Sequence, residues 1–123
     1  MPLSDWASGP KLNPSSFTIQ RVNPFAFKSV LIDLMARNLE LPSPEQRFDW
    51  IAQNPDGEAI AWLLFHEDHR EPIASCKGIP RRYRSPDGEK TALLLADVCS
   101  NEGFRFALPA LLLQRQIRED FLA

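Results

Sequence analysis

The apolar positions of this chain follow two rhythms. Phe17-Thr-Ile-Gln-Arg-Val22 sets apolar residues on alternate positions, with Val22 one step out of phase, and predicts a short strand. Ala59 to Phe65 is an almost unbroken apolar run, the pattern of a strand covered on both faces. Ile73 to Tyr83 and Thr91 to Val98 predict two more strands, the first with Gly78 and Pro80 marking a bulge or bend. The second rhythm is helical. Phe27, Val30, Leu31, Leu34 and Met35 share one face of a helix expected from about Pro24 to Leu39. Asn23-Pro24 supplies its start, since Asn caps free backbone N–H groups and Pro loses nothing at the first helical position. Ser43-Pro-Glu-Gln46 has the capping-box pattern and predicts a short second helix carrying Phe48 and Ile51. Asn54-Pro-Asp-Gly57 stops it. Phe106, Ala110, Leu113 and Ile117 share a face of a third helix, with Arg115, Arg118 and Glu119 mostly off it.

Polar turns at 66–71 and at Ser85-Pro-Asp-Gly88 join the last three strands into an antiparallel meander. The element order is β-α-α-β-β-β-α. It describes an α+β (α/β-like) domain with a mixed, mostly antiparallel sheet flanked by helices. Residues 1–16 are rich in Pro, Ser and Asn and read as a loose lead-in. Trp6 is its one aromatic residue, either packed back onto the domain or unpaired at the surface. The domain itself runs over 17–123. Phe121-Leu-Ala123 reads as the opening of a further strand, so the domain is expected to be partial, with C-terminal elements missing.

Composition narrows the function classes. The chain has 123 residues, enough for one core, and is 44% hydrophobic, so it folds. A formal net charge of −2 gives no global attraction to nucleic acid or to an anionic membrane, and neither partner is expected. There is no signal-peptide core and no apolar run long enough to span a bilayer, which leaves the cytoplasm as the expected location. Cys76 and Cys99 fit no metal spacing and read as buried free thiols.

Candidate chemistry concentrates late in the chain. The junction before the third helix, Arg105-Phe-Ala-Leu-Pro-Ala110, offers backbone N–H groups and the positive end of the helix dipole. Arg105 adds a full charge, Ala107 and Ala110 are small enough for close approach, and Pro109 removes one donor. The plain alternative is an ordinary strand-to-helix connection. Asp97 near the end of the last strand is a candidate general base, against the plainer reading of a carboxylate satisfying loop amides. His66 and His69 lie in a turn with no third ligand at a telling distance, and read as solvated. Lys77, Arg81, Arg82 and Arg84 could steer an anion, but read more simply as a solvated, edge-protecting strand face. Phe48, Trp50 and Trp62 read as core or near-core residues.

From about Ile73 to Ile117 the chain resembles the central part of the GNAT (GCN5-related N-acetyltransferase) superfamily. The element order equals the first seven elements of that fold. The superfamily's Arg/Gln-x-x-Gly-x-Gly/Ala signature, which opens its third helix, is matched by Arg105, Leu108 and Ala110, with Leu108 in place of the central glycine. The resemblance implies acyl transfer from acetyl-CoA to a small-molecule or peptide amine. It implies that Val98 and Ser100 lie along the pantetheine arm, that the backbone from Phe106 through Ala107, Leu108, Pro109 and Ala110 to Leu111 faces the pyrophosphate, and that Trp50 lines the acceptor side. Leu108 and the missing elements also fit a degenerate, non-catalytic binding module. An exposed strand edge would make such a unit a homodimer.

Overall fold

The computed structural model describes residues 13–122, so Trp6 and most of the lead-in lie outside the described residues. A single 3-10 turn, Pro14–Ser16, is capped by Asn13, whose side chain accepts from the Ser15 N–H. Four strands follow in the order expected: β1 (Phe17–Val22), β2 (Ile60–His66), β3 (Ala74–Ser85) and β4 (Gly88–Ser100). They form one sheet in the order β1-β2-β3-β4, and every pairing among them is antiparallel, in line with the mostly antiparallel sheet expected. The three helices are α1 (Lys28–Asn38), α2 (Pro44–Ala52) and α3 (Ala107–Leu122).

Alternation along the strands divides the core in two. On one face Phe17, Trp62, Leu64, Ala74 and Cys76 pack with Phe104 and with Leu113 and Ile117 of α3. On the other, Val22, Ala61 and Leu63 pack with Leu31 and Leu34 of α1 and Phe48 of α2. This three-layer arrangement buries β2 almost completely, as its apolar run requires. The indole N–H of Trp62 donates to Asp120 at 2.7 Å and pins the last turn of α3 to the sheet. Gly78 sits beneath that indole: a Cβ there would lie 2.8 Å from Trp62 Cζ3.

Several boundaries differ from the expected ones. Helix α1 begins at Lys28, not Pro24. Asn23 does cap, accepting from the Phe25 N–H at 2.9 Å, but what it caps is a tight turn closed by the Phe27 N–H on the Pro24 carbonyl. The Ser43 side chain makes no capping bond, so the capping box is not formed; Pro44 and the Arg47 N–H on the Ser43 carbonyl start α2 instead. Gly78 and Pro80 mark no break in the ladder; the register shift falls between Ser75 and Lys77. Phe121 and Leu122 continue α3 and do not open a strand.

Candidate functional site

The distinctive geometry of this sheet is a bulge in β4. Ser75 pairs with Cys99 and Lys77 with Ala96, so Cys76 alone stands opposite two residues, Asp97 and Val98. Asp97 takes φ 53°, the one non-glycine residue with positive φ among those described. A left-handed residue of this kind bends the strand and adds to its twist, and β4 is the last strand in the order, its outer edge paired with no described strand. Val98, the next residue, is 50% exposed.

The Asp97 side chain is 3% exposed, and each of its oxygens meets a cation. Oδ1 accepts from Arg47 Nε of α2 at 2.7 Å. Oδ2 accepts from Lys77 Nζ of β3 at 3.3 Å. Lys77 is itself buried, so the expectation of a solvated basic strand face fails at this residue and holds for the exposed Arg81, Arg82 and Arg84. Its ammonium reaches Met35 Sδ of α1 at 3.0 Å and lies 4.7 Å from the ring centroid of Phe48. Burial pulls the Lys77 pKa down, against the opposing pull of Asp97. The same burial pushes the Cys76 thiol up to about 12, with Cys99 and Asp97 adding to it. Cys99 is raised too, first by burial. Both cysteines are free and buried, as expected from the sequence.

Beyond β4 the chain turns at Asn101–Phe104, with Gly103 at φ 92° and the Phe104 N–H on the Asn101 carbonyl. Arg105, exposed at this turn, bridges two elements. Its Nε donates to the Ser100 carbonyl at 3.0 Å and its Nη2 to Asn38 Oδ1 at 2.7 Å, and Asn38 Nδ2 donates to Asn101 Oδ1 at 2.6 Å. This network latches the end of β4 to the C-terminal turn of α1. Helix α3 then opens at Ala107. Phe106 stacks on Phe104 with centroids 6.4 Å apart, and Leu108 packs against the α3-side core. Pro109 is fully buried, whereas Ala107, Ala110 and Leu111 are exposed. The amides of Ala107 and Leu108 belong to the first turn, where the helix supplies no acceptor, and Pro109 offers none.

An open groove of roughly 720 Å³ lies beside this junction, lined by Asn38, Leu39, Glu40, Leu41, Pro42 and Arg105 among others. Trp50 lies elsewhere, 70% exposed on α2, so it is not a core residue. His66 departs from expectation as well. It ends β2 buried between the rings of Phe17 and Phe104, its Nδ1 accepting from the Asp68 N–H. Among the described residues no group of three His, Cys, Asp or Glu is placed to hold a metal. No helix among them is long and apolar enough to cross a membrane.

No family model and no curated protein matches this chain in sequence. Solved structures do match it in shape. A GCN5-related N-acetyltransferase from Ralstonia eutropha superposes with a TM-score of 0.59 at 11% identity, over 86% of this chain and 76% of its own. An aminoglycoside acetyltransferase from an uncultured soil metagenomic sample gives 0.58 at 11% identity, over 85% and 70%. The fold is GNAT-like. A protein from Enterococcus faecalis, a probable N-acyltransferase, gives 0.59 at 9% identity over 85% of this chain, which spans only 27% of that protein. At these identities the likeness is one of GNAT architecture alone. Within it, Val98 and Ser100 lie at the end of β4 and the 105–111 segment leads into and opens α3. Arg47 carries no signal in the sequence, and Lys77 reads there as a solvated strand residue, yet both meet Asp97 from other elements.

Proposed function

We propose that this chain binds acyl-CoA along the outer edge of β4 and serves acyl transfer to an amine. The observation that carries the reading is the bulge at Asp97, which bends the terminal strand β4 near its end, shortly before the helix start at Ala107. A pantetheine arm is an extended, amide-bearing chain, able to pair with an open strand edge as a peptide does. Its pyrophosphate suits the free N–H groups and dipole at the head of α3. Acetyl-CoA is the simplest such cosubstrate. The acceptor nitrogen attacks the thioester carbonyl, the C–S bond breaks, and the CoA sulfur leaves as thiol with the proton the amine gives up. The groove beside Arg105, with Glu40 in its lining, is where we place a small-molecule or peptide amine. Acyl-CoA is an intracellular metabolite, so the reading carries a cytoplasmic location.

Calorimetric titration with acetyl-CoA tests this. Ala107 is exposed in the first turn of α3, so Ala107→Glu preserves the fold and sets a carboxylate against the pyrophosphate. Saturable heat in the wild type that weakens on the order of tenfold or more in Ala107→Glu is expected, one like-charge contact being ample for that. No heat at millimolar acetyl-CoA would overturn the reading. A second reading, a binding module without turnover, is favoured by Leu108 and Pro109. Leu108 packs into the core where a bare glycine would let phosphate approach, and Pro109 withholds a donor. Binding without acetylation across a panel of primary amines is its signature.

A further inference from the structure

We infer that Asp97, Lys77 and Arg47 form an ionic clasp that holds the β4 bulge open, which makes Asp97 a positioning residue for the acyl-CoA arm and not the base that deprotonates the amine. The second half of this inference rests on the acyl-CoA reading above; the clasp itself does not.

A base needs a lone pair within reach of the proton it takes. The Asp97 carboxylate is buried away from that proton and held between two cations. It is 3% exposed, with Arg47 on one oxygen and Lys77 on the other. The backbone, by contrast, needs what those contacts supply. A positive φ is unfavourable for any residue with a Cβ, although Asp tolerates it better than most. Lys77 is likewise 3% exposed, and Asp97 is its ion-pair partner among the described residues. Its other neighbours at contact distance are the Met35 sulfur and the Phe48 ring. Removing Asp97 would leave Lys77 buried without this partner, and removing Lys77 would leave one Asp97 oxygen without its cation, so the cluster resists separation. The clasp draws on β3, β4 and α2, and Met35 adds α1. The left-handed residue is thereby fixed to a neighbouring strand and to both helices of that face. Val98, the next residue along, is half exposed.

Two double variants isolate the effect without leaving an orphaned buried charge. Lys77→Met with Asp97→Gly removes the clasp but keeps a residue free to adopt positive φ. Lys77→Met with Asp97→Ala removes the clasp and leaves a Cβ. NMR of each protein reads the bulge directly, through the strong intraresidue Hα–HN NOE of residue 97 and through cross-strand NOEs from Cys76 to both 97 and 98. The Gly variant is expected to keep these signals and the Ala variant to lose them. Acetyl-CoA is expected to bind the Gly variant on the order of tenfold more tightly, the usual preference of Gly over Ala at a left-handed position. In the Gly variant the pH–rate profile of amine acetylation keeps the acidic, ascending limb of the wild type, the limb that an essential carboxylate base would set.

If the Ala variant retains the bulge signals, the clasp is not what holds the strand and the inference is overturned. It is overturned also if the Gly variant keeps the bulge and binds acetyl-CoA but turns over about a hundredfold more slowly or worse, the loss a missing general base produces. A wild type that does not bind acetyl-CoA removes the proposed function and leaves the NOE comparison to decide the clasp.

Discussion

Cys76, Lys77 and Gly78 are consecutive residues of β3 with three different neighbourhoods. Gly78 gives way to Trp62 on the α3 side, Lys77 reaches Asp97 on the α1–α2 side, and the Cys76 thiol is buried beside the bulge. Two of the three titrate abnormally, which ties the site to the alkaline stability of the fold. An unfolded thiol loses its proton near 9.0, whereas Cys76 holds its own to about 12. The stability this contributes is present below pH 9 and is lost as pH rises toward 12. Cys99, also raised, acts in the same direction. Lys77 opposes them. Its folded pKa lies below 10.5, so between the two values the unfolded chain binds more protons and stability rises with pH. Above 10.5 the Lys77 amine no longer differs between the folded and unfolded chains, so there the fall from Cys76 is unopposed by it. Cys76→Ala should flatten that fall by up to about 1.4 kcal/mol per pH unit, one proton's worth of linkage. Urea unfolding from pH 8 to 11 measures it; an unchanged slope would assign the alkaline transition to other groups.

At the scale of elements, the junction between β4 and α3 depends on Arg105. The sequence presents Arg105 as a charge at a helix start, and the fold uses it as a strut from the Ser100 carbonyl to Asn38 at the end of α1. Arg105→Ala should therefore cost about 1–3 kcal/mol, the range for hydrogen bonds made by a charged group. It should also speed amide exchange at Ser100 and Asn101 ahead of the rest of β4. Uniform exchange along the strand would mean that the strut carries nothing. The same contrast explains what was legible beforehand. The β1 limits, the apolar face of α1 and the burial of Leu113 and Ile117 follow from periodicity, which is local and sums over many residues. Single polar residues are another matter. Asn23 caps in either a turn or a helix, and which of the two forms is decided by how Phe27 and Lys28 meet the sheet and α2. Lys77 reads as solvated because lysine usually is, and only the carboxylate that β4 brings opposite reverses that. His66 reads as part of a polar turn because its neighbours are charged, yet its ring closes the core between Phe17 and Phe104. Asp97 stands out in the sequence as a carboxylate near the end of a strand, but its partners come from β3 and α2, and no local pattern announces them.

At the scale of the molecule, the two edges of the sheet are unequal. β1 is short, with six residues and polar side chains at Thr18, Gln20 and Arg21. β4 has thirteen residues, and Leu94, Leu95 and Val98 remain 51%, 40% and 50% exposed along it. Exposed apolar side chains on a long unpaired edge are a template for a second strand. We expect the 123-residue chain to self-associate through β4 in antiparallel register. Light scattering should then show a mass rising with concentration above the 14.0 kDa of one chain. Leu94→Lys, which sets a charge on that edge, should return it to the monomer with an unchanged circular dichroism spectrum. The same edge is the one proposed for the pantetheine arm, so the two occupants exclude each other. Saturating acetyl-CoA should dissociate the wild-type dimer, and dilution should raise its apparent affinity for acetyl-CoA, because linkage between competing partners is reciprocal. A dimer indifferent to acetyl-CoA would separate the two surfaces and place self-association elsewhere than on β4.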